Sequence, residues 1–129
     1  MLLVDTSVWI DLFRKPARLA PASVGDIDDF VTALPVVQEV LQGFRDEQAY
    51  QVAREAMLAF PIIDSPVPAE RFLEAAELFR AARRAGLTVR SGVDCLIAAS
   101  AIRHNLTVVH RDRDFTALAR VSPLRERAV

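Results

Sequence analysis

Short apolar runs recur along this chain, at Leu2-Leu3-Val4, Ile62-Ile63 and Thr107-Val108-Val109, and amphipathic stretches of helical period fill the intervals between them. Brief β-branched and aliphatic runs bounded by turn formers read as buried strands, and intervening apolar positions at i, i+3 and i+4 read as helices. Strands separated by helices pair in parallel, because a parallel neighbour needs a crossover long enough to hold a helix, and such a sheet is covered on both faces. The fold class is therefore α/β, a three-layer sandwich of helices, sheet and helices.

Leu2-Leu3-Val4 feeds a helix capped from Asp5, Thr6 or Ser7, in which Val8, Trp9, Leu12 and Phe13 share a stripe. Residues 15–25 hold two prolines, small residues and Gly25 and read as a loop. A short strand within 29–34 precedes a helix that carries Val36, Val37, Val40 and Leu41 and stops near Gly43. Another helix, 47–60, runs into the strand candidate 61–64. Beyond Pro66 and Pro68 lies a longer helix with Phe72, Ala75, Ala76, Leu78 and Phe79, stopped by Gly86. A helix over 91–105, the strand Thr107–His110 and a helix over 115–120 complete the pattern.

A chain of 129 residues, 52% of them hydrophobic, is the size of one domain spanning 1–129. Such a domain buries roughly two thirds of its unfolded surface and needs neither disulfides nor a structural metal to fold. The lone Cys95 and the absence of zinc-like Cys/His spacing point to a reducing compartment, the cytoplasm. The first residues lack a basic flank and reach a charge at Asp5, so they form neither a signal peptide nor a span, and no membrane association is expected.

A net charge of −1 conceals a division. Residues 1–79 carry six basic and thirteen acidic side chains, residues 80–129 ten basic and four acidic ones, so the later part is the side suited to a polyanion. Within this pattern four acidic stations stand out: Asp5 after the first strand, Glu39 on the margin of its helical stripe, Asp94, and the pair Asp112 and Asp114 after the strand Thr107–His110. Asp94 is the sharpest, because Ile97, Ala98, Ala101 and Ile102 lie at i+3, i+4, i+7 and i+8 and place it on the inward stripe of its helix. An ionised carboxylate there is costly unless it is paired or holds a metal. Asp5 serves either as a helix cap or as a group aimed into the crevice beyond the strand ends, and Asp114 either caps the last helix or joins Asp112. Asp11 faces away from the Val8/Leu12 stripe and reads as solvated, and His104 and His110 pair with no nucleophile. Clustered carboxylates suit a hard divalent cation, Mg²⁺ or Mn²⁺.

The segments Leu3-Val4-Asp5-Thr6-Ser7-Val8-Trp9-Ile10-Asp11, Gln38-Glu39-Val40-Leu41-Gln42-Gly43, Asp94-Cys95-Leu96-Ile97-Ala98-Ala99 and His110-Arg111-Asp112-Arg113-Asp114-Phe115, in this order, resemble PIN-domain ribonucleases, and most closely the toxin component of VapBC toxin–antitoxin pairs. The likeness spans nearly the whole chain, and its first and third segments are the most specific. It implies a PIN-like sheet of four or five parallel strands and a metal-dependent endoribonuclease that hydrolyses RNA phosphodiester bonds. Carried over, Asp5, Glu39, Asp94 and Asp112 are the catalytic acids and, with Asp114, the ligands of Mg²⁺ or Mn²⁺. Ser7, Arg90, Arg111 and Arg113 flank them as candidates for substrate contact. The implied partners are a structured RNA such as tRNA or rRNA, a VapB-type antitoxin laid across the cleft, and a second copy in a homodimer. One departure is His110, where many relatives place Thr two residues ahead of the acid. The alternative is a non-catalytic PIN-like module that acts by binding.

Overall fold

The computed structural model describes residues 1–129. At the centre of the sheet lies β1 (Leu2–Val4), whose residues pair in parallel with β2 (Phe30–Ala33) on one side and with β4 (Thr107–His110) on the other; β3 (Ile62–Ile63) extends the first side and β5 (Arg125–Ala128) the second. The order β3-β2-β1-β4-β5 reverses direction between β1 and β4. Open parallel sheets form their binding crevice beyond the carboxyl ends of the strands at such a reversal, and Asp5 and Asp112 follow those two strands.

The helices are α1 (Thr6–Phe13), α2 (Pro21–Val24), α3 (Leu34–Gln42), α4 (Glu47–Ala59), α5 (Ala69–Arg84), α6 (Gly92–Arg103) and α7 (Arg113–Ala119). Right-handed crossovers that travel in opposite directions put α1 to α4 over one face and α5 to α7 over the other. Contacts follow that division: α1 packs on α3 and α3 on α4, whereas α6 packs on α5 and α7.

Leu3, Val4, Val8, Val36, Ile97, Val108, Phe115 and Leu118 are fully buried between the layers. Trp9 belongs to this core, with its ring 5.2 Å from Phe60 and 6.0 Å from Phe30 between centroids. The chain stops α5 with Gly86 at φ 75°, where the Gly86 N–H donates to Arg83 O at 3.0 Å and the Leu87 N–H to Ala82 O at 2.9 Å. That paired closure needs a left-handed residue, which glycine adopts without strain.

Three elements depart from expectation. Residues 15–25 contain the single-turn helix α2 rather than loop alone. The sheet gains β5, whose Arg125-Glu126-Arg127-Ala128 has no apolar alternation and is a strand only because β4 supplies its ladder. The last helix starts at Arg113, two residues before the first apolar position of its stripe, Phe115.

Candidate functional site

Helices run back across a parallel sheet, so the starts of α1, α6 and α7 all lie at the carboxyl rim, and each carries an acid. Asp5 caps α1 by accepting from the Ser7 N–H at 3.2 Å. Asp94 lies in the first turn of α6, and Ser91 provides that helix's cap by accepting from the Asp94 N–H at 3.3 Å. Asp112 caps α7 by accepting from the Asp114 N–H at 2.9 Å. Helix starts carry partial positive charge, which offsets some of the repulsion among carboxylates gathered there.

Asp94, Asp112 and Asp114 each offer a carboxylate oxygen to a cluster within 4.8 Å. Asp94 is buried and its Oδ2 has no hydrogen-bond partner, so one enclosed oxygen of the cluster is unsatisfied. Burial, followed by the charges of Asp5 and Asp112, pushes the Asp94 carboxyl up to about 8. Asp5 is also raised, by burial first and by Asp112, against the lowering effect of the Ser7 hydrogen bonds. Glu39 stands at the margin: Thr6 Oγ1 donates to its Oε1 at 3.1 Å, and burial and the Asp5 charge raise it. The four stations are thus one electrostatic unit, with Glu39 linked through Asp5.

Asp114 has a different place from the expected cap. Because α7 begins at Arg113, Asp112 occupies the capping position, and the buried Asp114 carboxylate accepts instead from the Arg90 N–H at 2.9 Å. The Arg90 guanidinium stays more than half exposed and lies 3.6 Å from both Asp112 Oδ1 and Asp114 Oδ1. Asp11 is likewise buried rather than solvated; Arg111 Nη1 donates to its Oδ2 at 2.6 Å, and Arg14 lies 3.6 Å from its Oδ1. The pairing with a cation from the β4–α7 turn makes that burial tolerable.

Ser7 Oγ donates to Asp5 Oδ2 at 2.7 Å and accepts from the Arg111 N–H at 3.1 Å, so this hydroxyl braces the acid against the turn. Arg113 is exposed at the first position of α7. From sequence Thr6 reads only as a possible cap, Asp11 as solvated and Glu126 has no role, because their partners Glu39, Arg111 and His110 are distant along the chain. Cys95, buried beside Asp94 on α6, has its thiol pushed up to about 11 by burial and then by the Asp94 charge, which keeps it from acting as a nucleophile.

A divalent cation fits this donor set. Oxygen donors alone surround the cluster, one buried oxygen lacks a partner, and only the half-exposed Arg90 opposes the accumulated charge.

Comparison with known families matches residues 2–121 to the PIN domain. Ribonuclease VapC11 of Mycobacterium tuberculosis is 40% identical over 129 residues, covering 96% of each chain. Among solved structures, VapBC2 from Rickettsia felis bound to a DNA fragment superposes with a TM-score of 0.78 at 19% identity, covering 99% of this chain and 98% of that one. A toxin–antitoxin complex from Klebsiella pneumoniae gives 0.72 at 25% identity, covering 97% and 99%.

Proposed function

The chain belongs to the PIN-domain family, and from that membership we propose that it is a VapC-type endoribonuclease, the toxin of a toxin–antitoxin pair, cutting RNA at the acidic crevice with Mg²⁺ or Mn²⁺. The observation that carries the metal reading is the buried, unpartnered Asp94 Oδ2 within a cluster of three carboxylates. Asp94, Asp112 and Asp114 would hold the ion, with Asp5 and, through it, Glu39 adding negative charge beside them.

A bound divalent ion supplies Lewis acidity to the scissile phosphate and lowers the pKa of water beside it. The chain's own contribution is position. Ser7 fixes the Asp5 carboxylate, the Asp112 cap sets the start of α7, and the Arg90 amide orients Asp114, so the acids are held before substrate arrives. Without an ion, burial and the neighbouring acids raise the Asp94 carboxyl to about 8, so taking up a divalent ion would displace its proton and make metal binding pH-dependent. Arg90 and Arg113 sit at the rim where the phosphate backbone would pass, and Arg111 contributes through its backbone and its hold on Asp11.

The partners are a structured RNA such as tRNA or rRNA, a VapB-type antitoxin and a second copy of the chain. Exposed bases in loops and single strands are the accessible targets. The deciding experiment is cleavage of a mixed pool of structured RNAs by protein freed of any partner, with Mg²⁺, Mn²⁺ or chelator, beside Asp5→Asn and Asp94→Asn. Metal-dependent cutting lost in both variants supports the nuclease; folded protein inert with both metals favours the binding module.

A further inference from the structure

His110 ends β4 in the core, 1% exposed, yet both of its ring nitrogens are engaged. Its Nδ1 accepts from the Asp112 backbone N–H at 3.1 Å, and its Nε2 lies 2.5 Å from Glu126 Oε2. An imidazole that accepts at Nδ1 carries its proton on Nε2, so the donation to Glu126 follows from the first bond. Glu126 pairs with Val108 in the β4–β5 ladder and Ala128 with His110, which puts Glu126 two residues back on the face toward which the imidazole turns. Phe115 of α7 packs against the ring with centroids 5.2 Å apart.

We propose that His110 is a positioning residue for Asp112, set by Glu126 from the edge strand β5. The inference rests on the reading of Asp112 as a metal-holding acid. With no free nitrogen and no exposure, His110 reaches neither ion nor RNA; its effect passes through the Asp112 backbone. Asp112 is the cap from which α7 starts, so one hydrogen bond to its N–H constrains both its carboxylate and the Asp114 amide bonded to it. Groups that orient metal-binding carboxylates from behind typically contribute about 10- to 100-fold in metal affinity.

The test is Mn²⁺ affinity of the full chain by electron paramagnetic resonance, for the wild type, His110→Asn, His110→Gln, Glu126→Leu and Asp112→Asn. Asn offers its Oδ1 at the place of Nδ1 and retains the acceptor for Asp112, whereas Gln sets its amide one bond farther out and loses it. Near-wild-type affinity is expected in His110→Asn, about a 10-fold loss or more in His110→Gln, and a loss in Glu126→Leu and Asp112→Asn. Rescue by Asn but not by Gln separates positioning from packing, since both replace the ring.

Should His110→Gln fail to fold, Glu126→Leu on the sheet edge and the long-range ¹H–¹⁵N spectrum of the wild type decide, with the proton expected on Nε2. Wild-type affinity in His110→Gln or Glu126→Leu, or a proton on Nδ1, overturns the inference while the metal reading stands. Wild-type affinity in Asp112→Asn overturns the metal reading and the inference with it.

Discussion

The Arg90 amide donates to Asp114 Oδ2 at 2.9 Å, tying the approach to α6 to the start of α7. Asp114 thereby holds two roles, as an acid of the cluster and as the clasp between two helix starts. Asp114→Asn keeps an acceptor for the amide and removes the charge; Asp114→Ala removes both. We expect Mn²⁺ affinity to fall in each by about 10-fold or more, and Asp114→Ala to melt lower than Asp114→Asn because it is less stable by about 0.5–1.5 kcal/mol, the worth of the hydrogen bond that Asn keeps. Equal melting temperatures for the two variants would remove the clasp.

Asp94 makes the stability of the metal-free protein fall with rising pH. Its carboxyl is raised to about 8 by burial and by Asp5, Asp112 and Asp114, from an ordinary value of 3.8. Between those values the folded chain holds a proton that the unfolded chain has released, so this stabilisation is complete below the lower value and is lost as pH rises through the upper one. Melting temperatures of wild type and Asp94→Asn, taken in chelator from acid to alkaline pH, should diverge in favour of the variant as pH approaches about 8, and Mn²⁺ should restore only the wild type. A constant difference across that range counts against the raised carboxyl.

The arginines of the rim separate by what they already hold. Arg113 is exposed, so Arg113→Ala should weaken RNA binding without cost to the fold and lower the salt slope of binding by about 0.7 for single-stranded RNA. Arg111 is bonded to the buried Asp11, so Arg111→Ala should also destabilise the chain by about 1–3 kcal/mol through the acid left behind. Chemical denaturation beside RNA titration at several salt concentrations distinguishes them; equal stability of the two variants would deny Arg111 its structural role.

A second ionic cluster, away from the crevice, joins β3 to the helices behind it. Asp64, left-handed at φ 47°, accepts from Arg71 Nε at 3.0 Å and from Ser100 Oγ at 2.7 Å and lies 2.7 Å from His104 Nε2. Burial raises its carboxyl, but these bonds outweigh burial and hold it below the usual carboxylate range. Asp64→Ala would take from Arg71, buried at 4% exposure, one of the two carboxylates 3.0 Å from it and should cost about 1–3 kcal/mol with Mn²⁺ affinity unchanged. A matching loss of Mn²⁺ affinity in the folded variant would show that the two clusters are coupled.

Much of this arrangement was legible in the residues because burial leaves a period in sequence. The stripe through Ile97, Ala98 and Ala101 marked Asp94 as inward, and α6 buries it. Where a residue is decided by a distant partner, sequence carried no such trace. Asp11 faces away from the apolar stripe of α1, and the partner that makes its burial tolerable, Arg111, lies 100 positions away. Asp114 reads as a cap because the apolar stripe of α7 begins at Phe115, although the helix starts at Arg113. β5 carries no period for the same reason: its charged residues take strand form from β4, with Arg125 anchored to Asn105 O at 2.6 Å, and not from any pattern of their own.

Both margins of the sheet are poor templates for another chain. β3 offers only two residues to pair with, and β5 carries the exposed Arg125 and Arg127. Two short or charged borders discourage edge-to-edge stacking, the route by which exposed strands seed fibrils. The five-stranded sheet is thereby kept from growing by the addition of a neighbour's strand.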